Sequence, residues 1–311
     1  MHPNYTFLLL FGLLNLAKLS GQTLRSIPPT QFTFESACYL KAEDKIYAVV
    51  ADDQGLEVGR SNSLLVIHPA WGRVETTFKV GFNPRMLSKS SDEQFLYFVS
   101  DGPSSVKRFN VQAKKIEQEV FVNREVLRIA PVPGRSKSLL VLEGTADSMF
   151  LRTLEDKQFL PNTIAMHRAN PVIGMGFSDA NTLFLWRNNG EILKIKADNT
   201  GLVLMEEFTG YSFFSLDDGL VTPKYIITAS GKVFNISGQR PIEEQSLPNA
   251  SSLFNLSEGH NADEFGVLQF WGKADSILSA TIKTPSLKST AGVPVLSTSI
   301  STTILPSWNF T

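Results

Sequence analysis

The chain has 311 residues, 42% hydrophobic and 19% charged, which sets it among globular chains and apart from disordered ones. Its formal net charge of -1 supplies no basic footprint for nucleic acid or an anionic membrane surface, so neither is expected as a partner. The single cysteine, Cys38, excludes an intrachain disulfide, and within Ala37-Cys38-Tyr39-Leu40 it is expected as a small buried hydrophobe.

Residues Phe7 to Leu16 form a dense apolar run of signal-peptide length, too short to span a bilayer. Ser20 and Gly21 follow, so residues 1–21 are expected to be a signal peptide and 22–311 a single exported domain. No later run reaches the ~18 apolar residues of a transmembrane helix, so no membrane span is expected. A secreted or periplasmic protein is the expectation.

After the Pro28-Pro29 segment the chain reads as repeated groups of short strands. The first group is Cys38 to Leu40, Lys45 to Val50, Ser63 to Ile67 and Val74 to Val80. The second opens at Asn83-Pro84-Arg85-Met86-Leu87-Ser88 and continues with Phe95 to Ser100, Ser105 to Asn110 and Lys115 to Phe121. A third covers Val126 to Ala130, Ser138 to Leu142, Ser148 to Arg152 and Phe159-Leu160. The fourth begins at Asn170-Pro171-Val172-Ile173, passes through Thr182 to Trp186 and turns at Asn188-Asn189-Gly190, a hairpin signal, before Glu191 to Ile195 and Leu202 to Met205. A fifth is read at Phe213 to Leu216, Lys224 to Thr228 and Lys232 to Ile236, and a sixth at Ser252 to Leu256, Phe265 to Trp271 and Ser276 to Ala280.

The second and fourth groups align without a gap, Asn83 with Asn170, an offset of 87 residues or two periods of about 43. That period is the length of a four-stranded propeller blade, so the expected fold is an all-β β-propeller. Seven blades are favoured over six, the last built from both termini, because an open ring leaves unpaired strand edges. The alignment pairs Tyr97 with Phe184 and Val99 with Trp186. Strand alternation then places these four on equivalent faces between blades.

The register of Ser63-Leu64-Leu65-Val66-Ile67-His68-Pro69-Ala70, Gly81-Phe82-Asn83-Pro84 and Phe95-Leu96-Tyr97-Phe98 resembles the YVTN-type β-propeller repeats of exported bacterial proteins. In this chain His68 stands where that repeat has Asp, and Trp71-Gly72 where it has Thr-Gly. The Asp-Gly turn of the repeat is represented by Asp92-Glu93 and Asp179-Ala180. The resemblance spans about residues 40 to 200 and implies a scaffold.

Chemistry is sparse. His68 and His167 are expected in turns, and His260 lies in the acidic stretch Glu258 to Glu264, which lacks the ligand spacing of a calcium loop or a zinc site. No nucleophile elbow and no phosphate loop occurs. No catalytic residue, metal ligand or cofactor is therefore expected. In a propeller the residues before each innermost strand ring the channel mouth, and Asn83, Arg85, Glu125, Asn170 and Asp217 occupy such positions. They are the candidate ligand-binding residues, with ordinary polar loop residues as the alternative. The expected function is a monomeric, non-catalytic scaffold binding a protein, peptide or small polar ligand. The alternative is a metal-dependent lactonase-like hydrolase, or a quinoprotein-associated subunit, on the same fold.

Overall fold

The structure, a computed structural model, describes residues 34–51, 60–69, 73–213, 219–228 and 232–246, and the strands at 252–254, 266–271 and 279–283. Every regular element among the described residues is a β-strand, in six sheets.

Sheet I contains β1 (Ser36–Leu40), β2 (Lys45–Val50), β3 (Ser63–His68) and β4 (Arg73–Lys79). Sheet II contains β5 (Arg85–Lys89), β6 (Phe95–Ser100), β7 (Ser105–Asn110) and β8 (Lys115–Phe121). Sheet III contains β9 (Glu125–Pro131), β10 (Ser138–Gly144) and β11 (Ser148–Glu155), and both β12 (Gln158–Phe159) and β13 (Ile164–His167) pair with β11. Sheet IV contains β14 (Val172–Phe177), β15 (Thr182–Arg187), β16 (Ile192–Asp198) and β17 (Gly201–Phe208). Sheet V contains β18 (Gly219–Val221), β19 (Tyr225–Thr228), β20 (Lys232–Asn235) and β21 (Ile242–Ser246). Sheet VI contains β22 (Ser252–Phe254), β23 (Gly266–Trp271) and β24 (Ser279–Lys283). Apart from β13, strands pair in sequence order, the pattern that hairpin connections impose.

The repeat is carried by the backbone. β5, β6 and β7 begin at Arg85, Phe95 and Ser105, and β14, β15 and β16 begin at Val172, Thr182 and Ile192, each 87 residues on. At the Asn188-Asn189-Gly190 turn, Gly190 has φ +84 and donates its N–H to the Arg187 carbonyl. Only glycine adopts that angle freely.

The described residues fall into two compact units, one formed by sheets I to III with residues 199–202, the other by the rest of sheet IV with sheets V and VI. In the first unit, Tyr47, Val49, Leu64 and Val66 of sheet I pack on Leu96, Phe98 and Phe109 of sheet II. The opposite face of sheet II, Phe95, Tyr97 and Val99, packs on Val126, Leu139 and Val141 of sheet III. In the second unit, Phe184 and Trp186 pack on Ile226 and Phe234 of sheet V. The expected equivalence of Tyr97 and Val99 with Phe184 and Trp186 holds. All four are buried, and each pair faces the next sheet in sequence.

This sandwiching explains the sequence pattern. β6 and β10 are buried on both faces, so they read as unbroken apolar runs; β4 and β8 are outermost and alternate. Burying each such Val, Leu, Ile or Phe contributes about 1.5–3 kcal/mol.

Three expectations need correction. The first described strand of sheet V is β18; of the expected Phe213 to Leu216 only Phe213 lies among the described residues, and it is in coil. Phe213 is apolar because its ring is buried in coil against Tyr211 and Phe234. The fourth position of sheet III is shared by β12 and β13, because β11 is long enough to pair with both. Cys38 is half-buried at the margin of the core between sheets I and II. The segments 1–21 and 295–311, Asp217 and the His260 loop lie outside the described residues.

Candidate functional site

The segment leading into β5 is the most irregular stretch of sheet II. Asn83 has φ +49 and Met86 has φ +60. Asparagine tolerates the left-handed region; methionine there is strained. Pairing with β6 slips between Arg85 and Ser88, a bulge. Bulges bend a strand and re-aim its side chains.

Here the re-aimed groups meet Asp101, the residue after β6. The Asn83 amide Nδ2 donates to Asp101 Oδ2 at 2.6 Å, and Arg85 Nε and Nη2 lie 3.4 Å from Asp101 Oδ1. The Asn83 N–H donates to Asn62 Oδ1 at 2.7 Å, which ties the segment to the start of β3. The Arg85 and Asp101 side chains keep 22% and 33% of their surface, enough for a ligand to reach both.

Just inside this pair is a polar network. Lys107, buried on β7, donates to the Val80 carbonyl at 2.8 Å and pairs with Glu119 at 3.2 Å. Ser105 Oγ donates to the same Glu119 oxygen at 2.8 Å and lies 3.0 Å from Ser100 Oγ. Glu119 therefore neutralises a lysine that would otherwise be buried unpaired. Two exposed aromatics flank the network, Phe82 at 54% and Phe121 at 61%. Phe121 stands opposite Ser105 on β8, and the Phe82 carbonyl accepts the Asp101 N–H, so both rings belong to this end of sheet II.

Sheet III repeats the device with other residues. Arg124, just before β9, bonds Glu143 near the end of β10 at 3.1 Å, and Arg152 bonds its second oxygen at 3.2 Å. Glu143 is buried; the guanidiniums of Arg124 and Arg152 lie over the rings of Phe150 and Phe159. Glu125 pairs with Arg168 at 3.2 Å. In sheet IV the Asn170 carbonyl accepts Arg187 Nε at 2.9 Å, and Arg187 also bonds Glu191 at 2.6 Å.

Of the five sequence candidates, Asn83 and Arg85 meet on one carboxylate, Glu125 is held by Arg168 in the same unit, and Asn170 acts through its backbone in the other. Asp217 is outside the described residues. Sequence reasoning missed Asp101, Lys107, Glu119, Glu143 and Arg187. A usable signal existed, a polar residue ending an apolar second strand, as at Ser100-Asp101, Glu143 and Arg187. Among the described residues no group of three or more His, Cys, Asp or Glu is arranged to hold a metal ion. The arrangement offers a guanidinium–carboxylate pair, an amide and two aromatic rings, which suit recognition of polar and planar groups.

No protein-family model matches the chain, and no curated protein matches it. Solved structures do. A functionally unknown protein from Desulfotomaculum acetoxidans superposes with a TM-score of 0.59 and 14% identity, over 86% of this chain and 85% of that one. The Cps50 (Swd1) β-propeller domain of Myceliophteria thermophila gives 0.57 and 9%, over 81% and 82%. A putative 6-phosphogluconolactonase from Bacteroides uniformis gives 0.54 and 14%, over 83% and 82%. At these identities the likeness is one of fold alone, and the fold it indicates is the β-propeller.

Proposed function

We propose that this chain is an exported, non-catalytic β-propeller scaffold that binds a protein, peptide or small polar ligand where the first strands of its sheets begin. Its repeats are read as YVTN-type, in one seven-bladed domain whose last blade draws on both termini. The protein acts as a monomer. Asn83 and Arg85, with Asp101, form the centre of the binding end of sheet II. Glu125 and Asn170 stand at the corresponding positions of sheets III and IV, and Asp217 before that of sheet V. The observation that carries this reading is the strained, bulged approach to β5, which holds Asn83 and Arg85 on one half-exposed carboxylate at the end of sheet II that also exposes Phe82 and Phe121. Strain of this kind persists only where surrounding structure enforces it, and it clusters at functional sites.

The test replaces Phe82, Phe121 or Tyr39 singly with a photo-crosslinking amino acid and exposes the protein to extract and culture fluid of its source. Tyr39, also exposed, bonds Asp44 in the β1–β2 turn, away from the approach to β5. Adducts are expected at 82 and 121 and lost on Asp101→Ala. Adducts of equal yield at all three positions, or at none, would overturn the proposal. N-terminal sequencing of the exported protein should begin near Gln22; an intact Met1 on a cytoplasmic protein sinks the export part.

A further inference from the structure

Three charged side chains are buried among the described residues, Lys107, Arg108 and Glu143. Lys107 has one acid beside it, Glu119 at 3.2 Å, and Arg108 has two, Glu117 at 2.7 Å and Asp156 at 3.1 Å. Glu143 is the reverse case, one acid held by two bases. Arg124 Nη1 donates to its Oε2 and Arg152 Nη1 to its Oε1. Two guanidiniums and one carboxylate leave one positive charge over. Glu125, next to Arg124 in sequence, is held by Arg168, and no other acid among the described residues pairs with Arg124 or Arg152.

The two guanidiniums also keep unspent donors. Each carries five N–H groups in one plane. Among the described residues, Glu143 is the only acceptor of either, and it takes Nη1 alone. The Nε and Nη2 atoms of both are absent from the buried unpaired groups, Ser104 Oγ, Gln118 Oε1, Arg135 Nε and Thr153 Oγ1, so they reach solvent. One flat side of each guanidinium is covered by a ring: Arg124 Cζ lies 4.2 Å from the centre of Phe150, and Arg152 Cζ 3.7 Å from that of Phe159. Pairing explains why. Phe150 stands opposite Glu143, and Phe159 opposite Leu154, two residues beyond Arg152, so acid, rings and Arg152 share one face of sheet III. Stacking fixes the guanidinium planes and leaves their edges for ligand.

We propose that Arg124 and Arg152 bind a carboxylate of the ligand through these unspent N–H groups, with Glu143 as the internal counter-ion that holds the two side by side. This rests on the binding reading above and names the group recognised at the approach to the first strand of sheet III. In-plane guanidinium donors match the two oxygens of a carboxylate or phosphate. The single positive charge favours the carboxylate, since a phosphate group carries about -1.5 to -2 near neutral pH. The formal net charge of -1 gives the whole chain no general attraction for anions, so such binding reports on a local site.

The carboxylate comes from an acidic peptide side chain or from a free small acid, and the test separates these sources. Fluorescence anisotropy follows a labelled peptide of alternating glycine and glutamate beside its glutamine counterpart, and titration calorimetry follows propionate. The glutamate peptide is expected to bind at least tenfold more tightly than the glutamine one, and added salt should weaken it. Arg124→Gln and Arg152→Gln should each weaken binding at least tenfold, while Arg73→Gln, an exposed arginine on β4, changes nothing. If either glutamine variant unfolds the protein, lysine takes its place. Lysine keeps the charge beside Glu143 but not the planar edge, and at least a threefold loss is expected. Tighter binding of the peptide than of propionate assigns the site to an acidic peptide; binding of propionate alone assigns it to a free acid. Binding of neither, a glutamine peptide that binds as tightly as the glutamate one, tighter binding of inorganic phosphate than of propionate, or affinity unchanged by the Arg124 and Arg152 substitutions would each overturn the proposal. The adducts at 82 and 121 report on sheet II, so failure of that reading and failure of this one are separately visible.

Discussion

Sheets II and IV are the same repeat with the same interior and different margins. Their first three strands start 87 residues apart, and Tyr97 and Val99 of one occupy the positions of Phe184 and Trp186 of the other. At the margins they part. The segment before β5 is clasped by an acid, Asp101, and that before β14 by a base, Arg187. The outer strand β8 exposes charge; β17 exposes Val203, Leu204 and Met205. Packing between two neighbouring sheets constrains the middle strands on both faces, whereas strand ends and outer edges meet that demand only in part. Function is therefore to be sought at the margins, and stability in the interior.

The interior half of this comparison breaks most sharply at Phe184 and Trp186. Both are almost fully buried, and Trp186 lies so close to β14 that a Cβ on Gly174 would come within 2.0 Å of its ring. Phe184→Ala should cost about 3–5 kcal/mol, and Trp186→Ala a similar amount. Chemical denaturation of either variant measures this. A loss below about 1 kcal/mol would show that the shared register does not bear on stability.

A smaller effect is expected at the polar clasps. Glu143 is 1% exposed between Arg124 and Arg152, whose side chains keep 36% and 27% of their surface. Breaking a fully buried pair costs about 3–5 kcal/mol, and solvent reaching both guanidiniums brings Glu143→Ala to about 2–3 kcal/mol. Arg187→Ala, with its side chain 11% exposed, should cost about 1–2 kcal/mol, since Glu191 can turn to solvent. Equal, negligible losses would mean that the clasps do not hold the approach segments in place.

The sequence made the interior legible because double-sided burial writes itself as unbroken apolar runs such as Phe95 to Val99 and Leu139 to Leu142. It misled where a buried aromatic lies in coil, as Phe213 does, and where one strand pairs with two short partners, as β11 does. Asn83 and Arg85 were legible as residues leading into a first strand; their meeting on Asp101 was not. That contact depends on a one-residue bulge and two left-handed residues, and register slips leave no mark on the apolar pattern. Glu143 and Lys107 were missed for a related reason. A charge among strand residues reads as solvent-facing until its partner on the next strand is known. The edge at β17 was read only as a strand, since exposure of Leu204 or Met205 depends on which sheet covers it.

The smallest effect separates the turns that the two repeats share. Asp179 Oδ1 accepts the N–H groups of Asn181 at 2.8 Å and Thr182 at 2.9 Å, in the turn before β15. Asp92 holds the equivalent turn before β6, accepting from Gln94 N–H at 3.1 Å and Ser90 Oγ at 2.6 Å. Partial burial pushes the Asp179 carboxyl up, but the donated hydrogen bonds outweigh it and hold its pKa below the usual aspartate range. A group depressed on folding stabilises fully above its unfolded value and loses that contribution as pH falls through its folded value. Because the carboxylate is exposed, Asp179→Asn should cost about 1 kcal/mol or less at neutral pH. The melting-temperature gap between wild type and this variant should stay constant down to about pH 4, the ordinary aspartate value, and close below it. A gap that persists unchanged at pH 2, where the carboxyl is protonated, would show that the difference between the two side chains does not come from the charge on Asp179.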